Sequence, residues 1–371
     1  MKKNVLVLTV LLATILGQIA PFSIQLAALG AGDISAQSAS LYCKETGDFL
    51  FEKDSTRRMP MASTTKIATA ITVIQNMPLE TKITIPKEAC GIEGSSAYLT
   101  EGEILTTKDL LYALMLQSAN DAATALAIAC GGSVENFALM MNEMAKHLGL
   151  QDTSFTNPHG LDDPNHYTTA KDLAKITSFA LDNHEFASIV SCKTAKIPGP
   201  SNSFRVFSNH NKLLRLYDNA IGVKTGFTKK SGRCLVGASM RDGITLISVT
   251  LHAPNDWNDH TKMFDFGFSM LENRLLAKAN ELEFSFPLTC GTSETVRATN
   301  ADDVYAVLNK NSASPEVHVE YTRPLTAPIR KGDVIGTLYF TIDGRVIGSS
   351  SLLSKTSISQ KERLKRKWLL K

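Results

Sequence analysis

The six cysteines, at positions 43, 90, 130, 192, 234 and 290, include no CxxC pair and no close spacing, and no cluster of Cys and His has the spacing of metal ligands. That excludes a zinc ribbon or a thioredoxin-like redox motif and gives no reason to expect a metal or other cofactor. A dense disulfide framework belongs to much shorter chains. Buried free thiols are therefore the expectation, with one or two bridges left open. Internal repeats and long low-complexity linkers are also missing. A net positive charge is absent from the body of the chain as well. Residues 361–371 carry six basic side chains and one acid, which is +5 of a total of +3, so the other 360 residues sum to −2. A body of that charge has no reason to seek nucleic acid.

What is present reads as an ordinary globular protein, with 43% apolar and 20% charged residues in 371, enough for two domains. Lys2 and Lys3 precede an apolar run from Val5 to Ala20, and small residues follow at Ala28-Leu29-Gly30 and Ala36. That pattern describes a secretory signal over residues 1–30, cleaved between 30 and 36. An uncleaved anchor is the competing reading, but the run is short and Pro21 and Gln25 follow it. Either way the remaining chain lies outside the cytoplasm.

Past the signal, Ala39–Cys43 and Phe49–Phe51 flank a Gly47-containing turn and predict a hairpin. Ser63–Gln75 has no Gly or Pro and carries a broad apolar stripe through Ile67, Ala70, Ile71 and Ile74, which predicts a helix buried on several sides. Helices are expected at 107–117, 121–130, 134–147 and from Thr169 to about Leu181. From about Ile189 short β-prone runs take over. Cys234–Met240 and Ile244–Leu251 alternate like paired strands around Arg241-Asp242-Gly243, and Thr261–Leu275 reads as a last helix. Strands, a helical middle, strands and a helix suit an α/β (α+β) domain at 37–276, with a sheet built from both ends and helices packed on it. Residues 282–350 lose helical periodicity and read as a small all-β domain, with Asp343-Gly344 a hairpin turn. Residues 356–371 predict a basic amphipathic helix, through Ile358, Leu364 and Trp368, suited to an anionic membrane surface.

Three short patterns carry the chemistry. Ser63 and Lys66 stand three apart at the start of the buried helix, so they share a face. A lysine there needs partners or a lowered pKa, and a neutral amine beside a hydroxyl can make it a nucleophile. Ser118 and Asn120 form a Ser-x-Asn set 55 residues after Ser63, where a predicted helix ends. Lys224, Thr225 and Gly226 form a Lys-Thr-Gly set 104 residues beyond Asn120, on a predicted strand. In this order the three are the signature of penicillin-binding proteins and class A β-lactamases.

The chain resembles the serine D-alanyl-D-alanine carboxypeptidases, the low-molecular-mass penicillin-binding proteins, over nearly all of its mature length. Asn157-Pro158-His159-Gly160-Leu161 with His166–Ala170 is similar to a loop of that family. Lys331–Gly336 resembles part of its C-terminal domain, and the basic tail resembles its membrane anchor, with a thinner apolar face. The resemblance implies a penicillin-binding transpeptidase-type fold with an antiparallel sheet. It also implies removal of the terminal D-alanine from peptidoglycan stem peptides ending in D-Ala-D-Ala, and covalent inhibition by β-lactams.

Peptide cleavage through serine requires an activated hydroxyl, a proton route to the leaving amine and donors for the oxyanion. Those needs assign Ser63 as nucleophile and Lys66 as its base. Ser118 becomes a proton relay and Asn120 a holder of the substrate amide. Lys224 and Thr225 are assigned to the terminal carboxylate, and Gly226 to close approach of a substrate that pairs with the strand edge. The resemblance places the oxyanion hole at the N–H groups of Ser63 and Phe227. His159, Asp162 and Asp172 read as loop and helix formers. Some relatives carry an arginine in the loop after the next strand, and here Pro254–Asp259 has none. A class A β-lactamase is disfavoured because Gln151–Ala180 contains no Glu. Endopeptidase action on cross-links and an inactive wall-binding protein stay open.

Overall fold

A computed structural model of the chain describes residues 8–10 and 29–361, which form two compact units meeting in sequence at Met270 and Leu271. The greater part of the expected signal and the basic residues from 363 onward lie outside the described residues.

The first unit is built on a five-stranded antiparallel sheet. Its strands are β1 (Ser38–Cys43), β2 (Phe49–Lys53), β3 (Ala220–Thr228), β4 (Gly232–Arg241) and β5 (Ile244–Leu251), in spatial order β2-β1-β5-β4-β3. Both ends of the unit's sequence thus meet in one sheet, as expected, and β3 is an edge. The helices are α1 (Lys66–Asn76), α2 (Thr107–Leu116), α3 (Asn120–Gly131), α4 (Val134–His147), α5 (Ala170–Leu181), α6 (His184–Ser191), α7 (Leu213–Leu216) and α8 (Asp256–Met270).

Adjacent strand residues face opposite sides, so two hydrogen bonds fix the layers. Ser40 Oγ on β1 donates to Ala170 O of α5 at 2.9 Å. Ser248 Oγ on β5 lies 2.5 Å from His260 Nδ1 of α8. Ser248 pairs with Leu41, the neighbour of Ser40, so α5 and α8 cover opposite faces. Every residue of β5 is buried as a result. The α5 side holds the larger core, where Ile67, Ile71, Leu114, Leu126, Phe137 and Val249 meet. α3 runs through it on alanines, whose small side chains let a helix be packed all round.

Sequence and structure part in two places here. α6 was not expected, and its last three residues, from Ile189, fall where β-prone runs were expected. Asn183 Oδ1 caps it by accepting from the N–H groups of Glu185 and Phe186 at 3.0 and 3.1 Å, and its β-branched Ile189 and Val190 are buried core residues. The last helix begins five residues earlier than expected and stops at Met270. Asp256 accepts from Trp257 N and starts it, while Leu271–Ala277 leaves the helix to pair antiparallel with Val304–Asn309. Strand pairing there outweighs a weak helical period.

The second unit is all β. Its main sheet runs Leu8–Val10, Glu316–Tyr321, Val334–Ile342, Arg345–Ser354, Thr295–Asn300, Glu283–Thr289 and Leu325–Thr326. Phe286, Val296, Leu338, Phe340 and Leu352 fill its core. Asp343-Gly344 makes the expected hairpin turn. The tail reading needs one correction. Ile358 is 6% exposed in this core and bridges Ile329, so it is not on the apolar face of a surface helix. A residue already buried in a β core is unavailable to a membrane.

Buried Asp259 of α8 accepts from Ser35 N, Ser35 Oγ and Ala36 N at 2.9, 2.7 and 3.1 Å, tying the N-terminal segment down. Asp259→Ala strands three donors and is expected to cost about 1–3 kcal/mol. Thermal unfolding checks this, and an unchanged Tm would count against the anchor.

Candidate active site

Pro60 breaks the chain before a single 3₁₀ turn at Ala62–Thr65, and α1 starts at Lys66. The turn is local chemistry: Thr64 and Thr65 donate their hydroxyls back to Met61 O and Ala62 O at 2.6 and 2.8 Å. In 3₁₀ geometry residues three apart eclipse, so Ser63 and Lys66 align more directly than in the expected α-helix. Ala62 is held at φ +46°, a strained value for a residue with a side chain. The loop 156–166 braces it. Thr156 N–H donates to His166 Nδ1 at 3.1 Å, leaving Nε2–H to donate to Thr65 Oγ1 at 2.7 Å. Gly160, at φ +90°, lies so close that a Cβ would sit 1.9 Å from Ala62 O. His159 acts in this loop as its sequence suggested, its Nδ1 accepting from Leu161 N.

Lys66 is fully buried, and its amine reaches three oxygens: Ser63 Oγ at 2.9 Å, Asn120 Oδ1 at 2.7 Å and His159 O at 2.6 Å. Burial pushes its pKa well below the ordinary lysine value, the charge of Lys224 pushes it further, and Asp121 opposes both. Lys224 is also buried, which brings it down to about 7, and its Nζ donates to Thr225 O. Neither amine is a solvated surface lysine. For both, burial favours the neutral form, the direction a lysine base requires.

Asn120 begins α3. Its Oδ1 is taken by Lys66, and its Nδ2 donates to Glu93 O at 2.5 Å. Ser118 precedes it in the left-handed region, at φ +63°, and is 5% exposed. Ser63, Ser118, Thr225, Gly226 and Phe227 line one cavity of about 360 Å³. Gly226 is required there: a Cβ would lie 3.0 Å from Ser63 N and 3.1 Å from Thr64 N, so only glycine lets β3 approach the turn. Phe227 turns its ring outward, 66% exposed. All eight residues singled out from sequence therefore belong to one region, with Lys66 and Lys224 beneath it.

Several participants were not legible from the motifs. Asp121 is 1% exposed and accepts from Ala97 N, Leu99 N and Ser96 Oγ, which fixes the loop that receives Asn120. Its signal was present, an acid in the first turn of a buried helix. Arg233, Asp256 and Trp257 also line the cavity. Asp162 accepts from Thr228 Oγ1 and Asp172 from Thr153 Oγ1, the structural parts expected of them.

The geometry is that of a serine acyl-transfer site, and the comparisons agree. The chain belongs to the D-alanyl-D-alanine carboxypeptidase family, which it matches over residues 25–255, and residues 272–360 match the penicillin-binding protein 5 C-terminal domain. D-alanyl-D-alanine carboxypeptidase DacF of Bacillus subtilis is 30% identical over 88% of this chain and 86% of its own length. The Streptomyces K15 D-alanyl-D-alanine carboxypeptidase is 36% identical over 66% and 95%. The solved structure of penicillin-binding protein 5 from Haemophilus influenzae superimposes with a TM-score of 0.67 at 28% identity, covering 88% of this chain and 98% of that one. The chain is thus a hydrolase of the D-Ala-D-Ala carboxypeptidase type. A serine acyl-enzyme and β-lactam binding are typical of its family, and peptidoglycan stem peptides are the family's substrates.

Asp121→Asn removes the one charge that holds the Lys66 pKa up. The pKa then falls and the neutral base persists to lower pH. The acid limb of the acylation rate, followed with a β-lactam from pH 4 to 9, is expected to move to lower pH. An upward shift would contradict the assignment.

Proposed function

We propose that Ser63 is the acylated nucleophile of a D-Ala-D-Ala carboxypeptidase and Lys66 its base. The observation that carries this is the buried Lys66 amine 2.9 Å from Ser63 Oγ, its other two contacts being neutral oxygens. Neutral Lys66 takes the hydroxyl proton as Oγ attacks the carbonyl carbon of the penultimate D-alanine. The C–N bond breaks, and Ser118 passes a proton to the leaving amine. Water then hydrolyses the ester and restores Ser63. The Ser63 and Phe227 N–H groups are assigned to the oxyanion. Asn120 holds Lys66 through Oδ1 and offers its remaining amide hydrogen to the substrate. Thr225 receives the terminal carboxylate under the charge of Lys224, and the free edge of β3 pairs with the peptide backbone.

Release of D-alanine from diacetyl-Lys-D-Ala-D-Ala is expected from the purified protein and is expected to be lost in Ser63→Ala. Penicillin is expected to leave a long-lived adduct on the Ser63 peptide by mass spectrometry. An adduct elsewhere, or rapid turnover of the antibiotic, would overturn the reading. The contacts of Lys66 support slow deacylation, since the loop opposite Ser63 presents the His159 carbonyl to it and no carboxylate.

Members of this family are periplasmic penicillin-binding proteins. Among the described residues no single helix is long and apolar enough to cross a membrane. We assign residues 1–30 to an export signal and the basic tail to peripheral attachment on the outer face of the cytoplasmic membrane. The supports are the Lys2-Lys3 start and the +5 charge of residues 361–371 beside Trp368. Because Ile358 belongs to the β core, the anchor is tested by truncation after Lys361. The full chain is expected to bind phosphatidylglycerol vesicles, and the truncated one to stay in solution with full D-alanine release. Equal vesicle binding by both would remove the anchor.

A further inference from the structure

A substrate that ends in D-alanine brings a carboxylate into the cavity, and a cation must meet it. Lys224 is poorly placed to be the direct partner. It is 1% exposed, and its Nζ donates to Thr225 O. It acts on the cavity through its field, not by contact. The loop 254–259 supplies no arginine. Two other cations line the cavity, Lys212 and Arg233.

Arg233 is the built one. It is the second residue of β4 and pairs directly with Phe227 of β3, while Thr225 pairs with Leu235. Residues opposite one another in an antiparallel pair share a face, and diagonal neighbours lie about 7–8 Å apart, within reach of a long side chain. The hairpin therefore puts the Arg233 chain on the face that carries the Thr225 hydroxyl and the Phe227 ring. Its guanidinium is then fixed from α8. Nη2 donates to Asp256 Oδ1 at 2.7 Å and Oδ2 at 2.8 Å, and the group lies 5.6 Å from the centre of the Trp257 ring. Asp256 is 3% exposed in its side chain, whereas that of Arg233 is 44% exposed, so the pair is rooted in protein at the acid and open at the guanidinium. Nη1 and Nε make no hydrogen bond among the described residues. By contrast, exposed Lys212 has no ion pair among the described residues to hold it in one orientation, and its ammonium is a point charge without the planar fork that matches a carboxylate.

We infer that Arg233, positioned by Asp256 and Trp257, is the group that recognises the terminal carboxylate of the substrate, donating Nη1–H or Nε–H to it beside the Thr225 hydroxyl. The inference rests on the carboxypeptidase reading and gives it a specificity determinant. It makes Arg233 a binding residue, with Asp256 and Trp257 as positioning residues. It also replaces the assignment of Lys224 to direct carboxylate contact. Asp256 does not cancel this role. It removes most of the conformational freedom of the arginine in advance, and a charge-assisted hydrogen bond to a carboxylate then forms without that ordering cost.

The test compares substrates that differ only in the carboxylate: diacetyl-Lys-D-Ala-D-Ala against its C-terminal amide, and penicillin against its methyl ester. The wild-type protein is expected to prefer the free acid in each pair. Arg233→Gln is expected to lower kcat/KM for the acids by about 10- to 100-fold, the range of a charged hydrogen bond, and to leave the amide and ester unchanged. Arg233→Lys is expected to recover part of the preference. Asp256→Asn is expected to weaken it through KM with little change in kcat. Equal losses on acid and amide would make Arg233 merely structural and overturn the inference. So would an unchanged preference in Arg233→Gln, or its loss in Lys212→Gln instead. Should Arg233→Gln fail to fold, Arg233→Lys carries the same comparison, and unchanged preference there with a ten-fold loss in Lys212→Gln overturns the inference. Failure of the wild-type protein to release D-alanine from either peptide would strike the carboxypeptidase reading itself.

Discussion

The amine of Lys66 is enclosed by protein, and the site is arranged around keeping it there. An unpartnered ammonium in such a place would cost several kcal/mol. Here it meets three oxygens from three segments, the turn that carries Ser63, the start of α3 and the loop at His159. Each segment is itself held by buried polar contacts, Asp121 on one side and His166 on another. The contacts that satisfy the lysine therefore also place Ser63, Asn120 and the loop relative to one another. A second buried amine, Lys224, lowers the pKa of the first. Two lysines so placed oppose folding, since each titrates far below its value in an unfolded chain. The large core beneath them offsets that cost.

The layered fold supplies the other half of the site. β3 is an edge strand, so a peptide can be added to the sheet beside Ser63 without displacing a neighbour. The same edge would be an aggregation hazard if it were long and bare. It is narrowed here by the turn at Ser63, against which Gly226 packs with no room for a side chain. On the far face α8 delivers Asp256 and Trp257 to Arg233. The cavity thus draws the Ser63–Lys66 pair from the helical layer, its free edge from the sheet and Arg233 from the hairpin clamped by α8.

Much of this was readable in order. The hairpin at 38–53, the helices at 107–116, 134–147 and 170–181 and the β4–β5 pair follow from local period and turn residues. α6 and the end of α8 were not readable. In one, a short helix that ends in β-branched Ile189 and Val190 is stabilised by its cap and its burial; in the other, a helical period yields to a strand partner some thirty residues away. Ile358 read as the first apolar residue of a tail helix because nothing local says that Ile329 waits for it. Each miss is a place where a distant contact outweighed a weak local preference.

The sequence by itself determined the chemistry on offer: one hydroxyl three residues before one lysine on a buried apolar helix, and two further polar sets in fixed order. Burial of Lys66 was implied there too, because it stands at the start of a helix whose apolar stripe is broad enough for burial on several sides. Only the tertiary structure decided which oxygens that amine meets, that Asn120 spends its acceptor on it, that Lys224 is enclosed, and that Arg233 faces the cavity in its stead. These depend on register and on layer, and both are fixed by contacts between residues tens to hundreds of positions apart. A spacing along the chain can say which groups share a face of one helix or strand. Which group on another element lies opposite is set when the layers close.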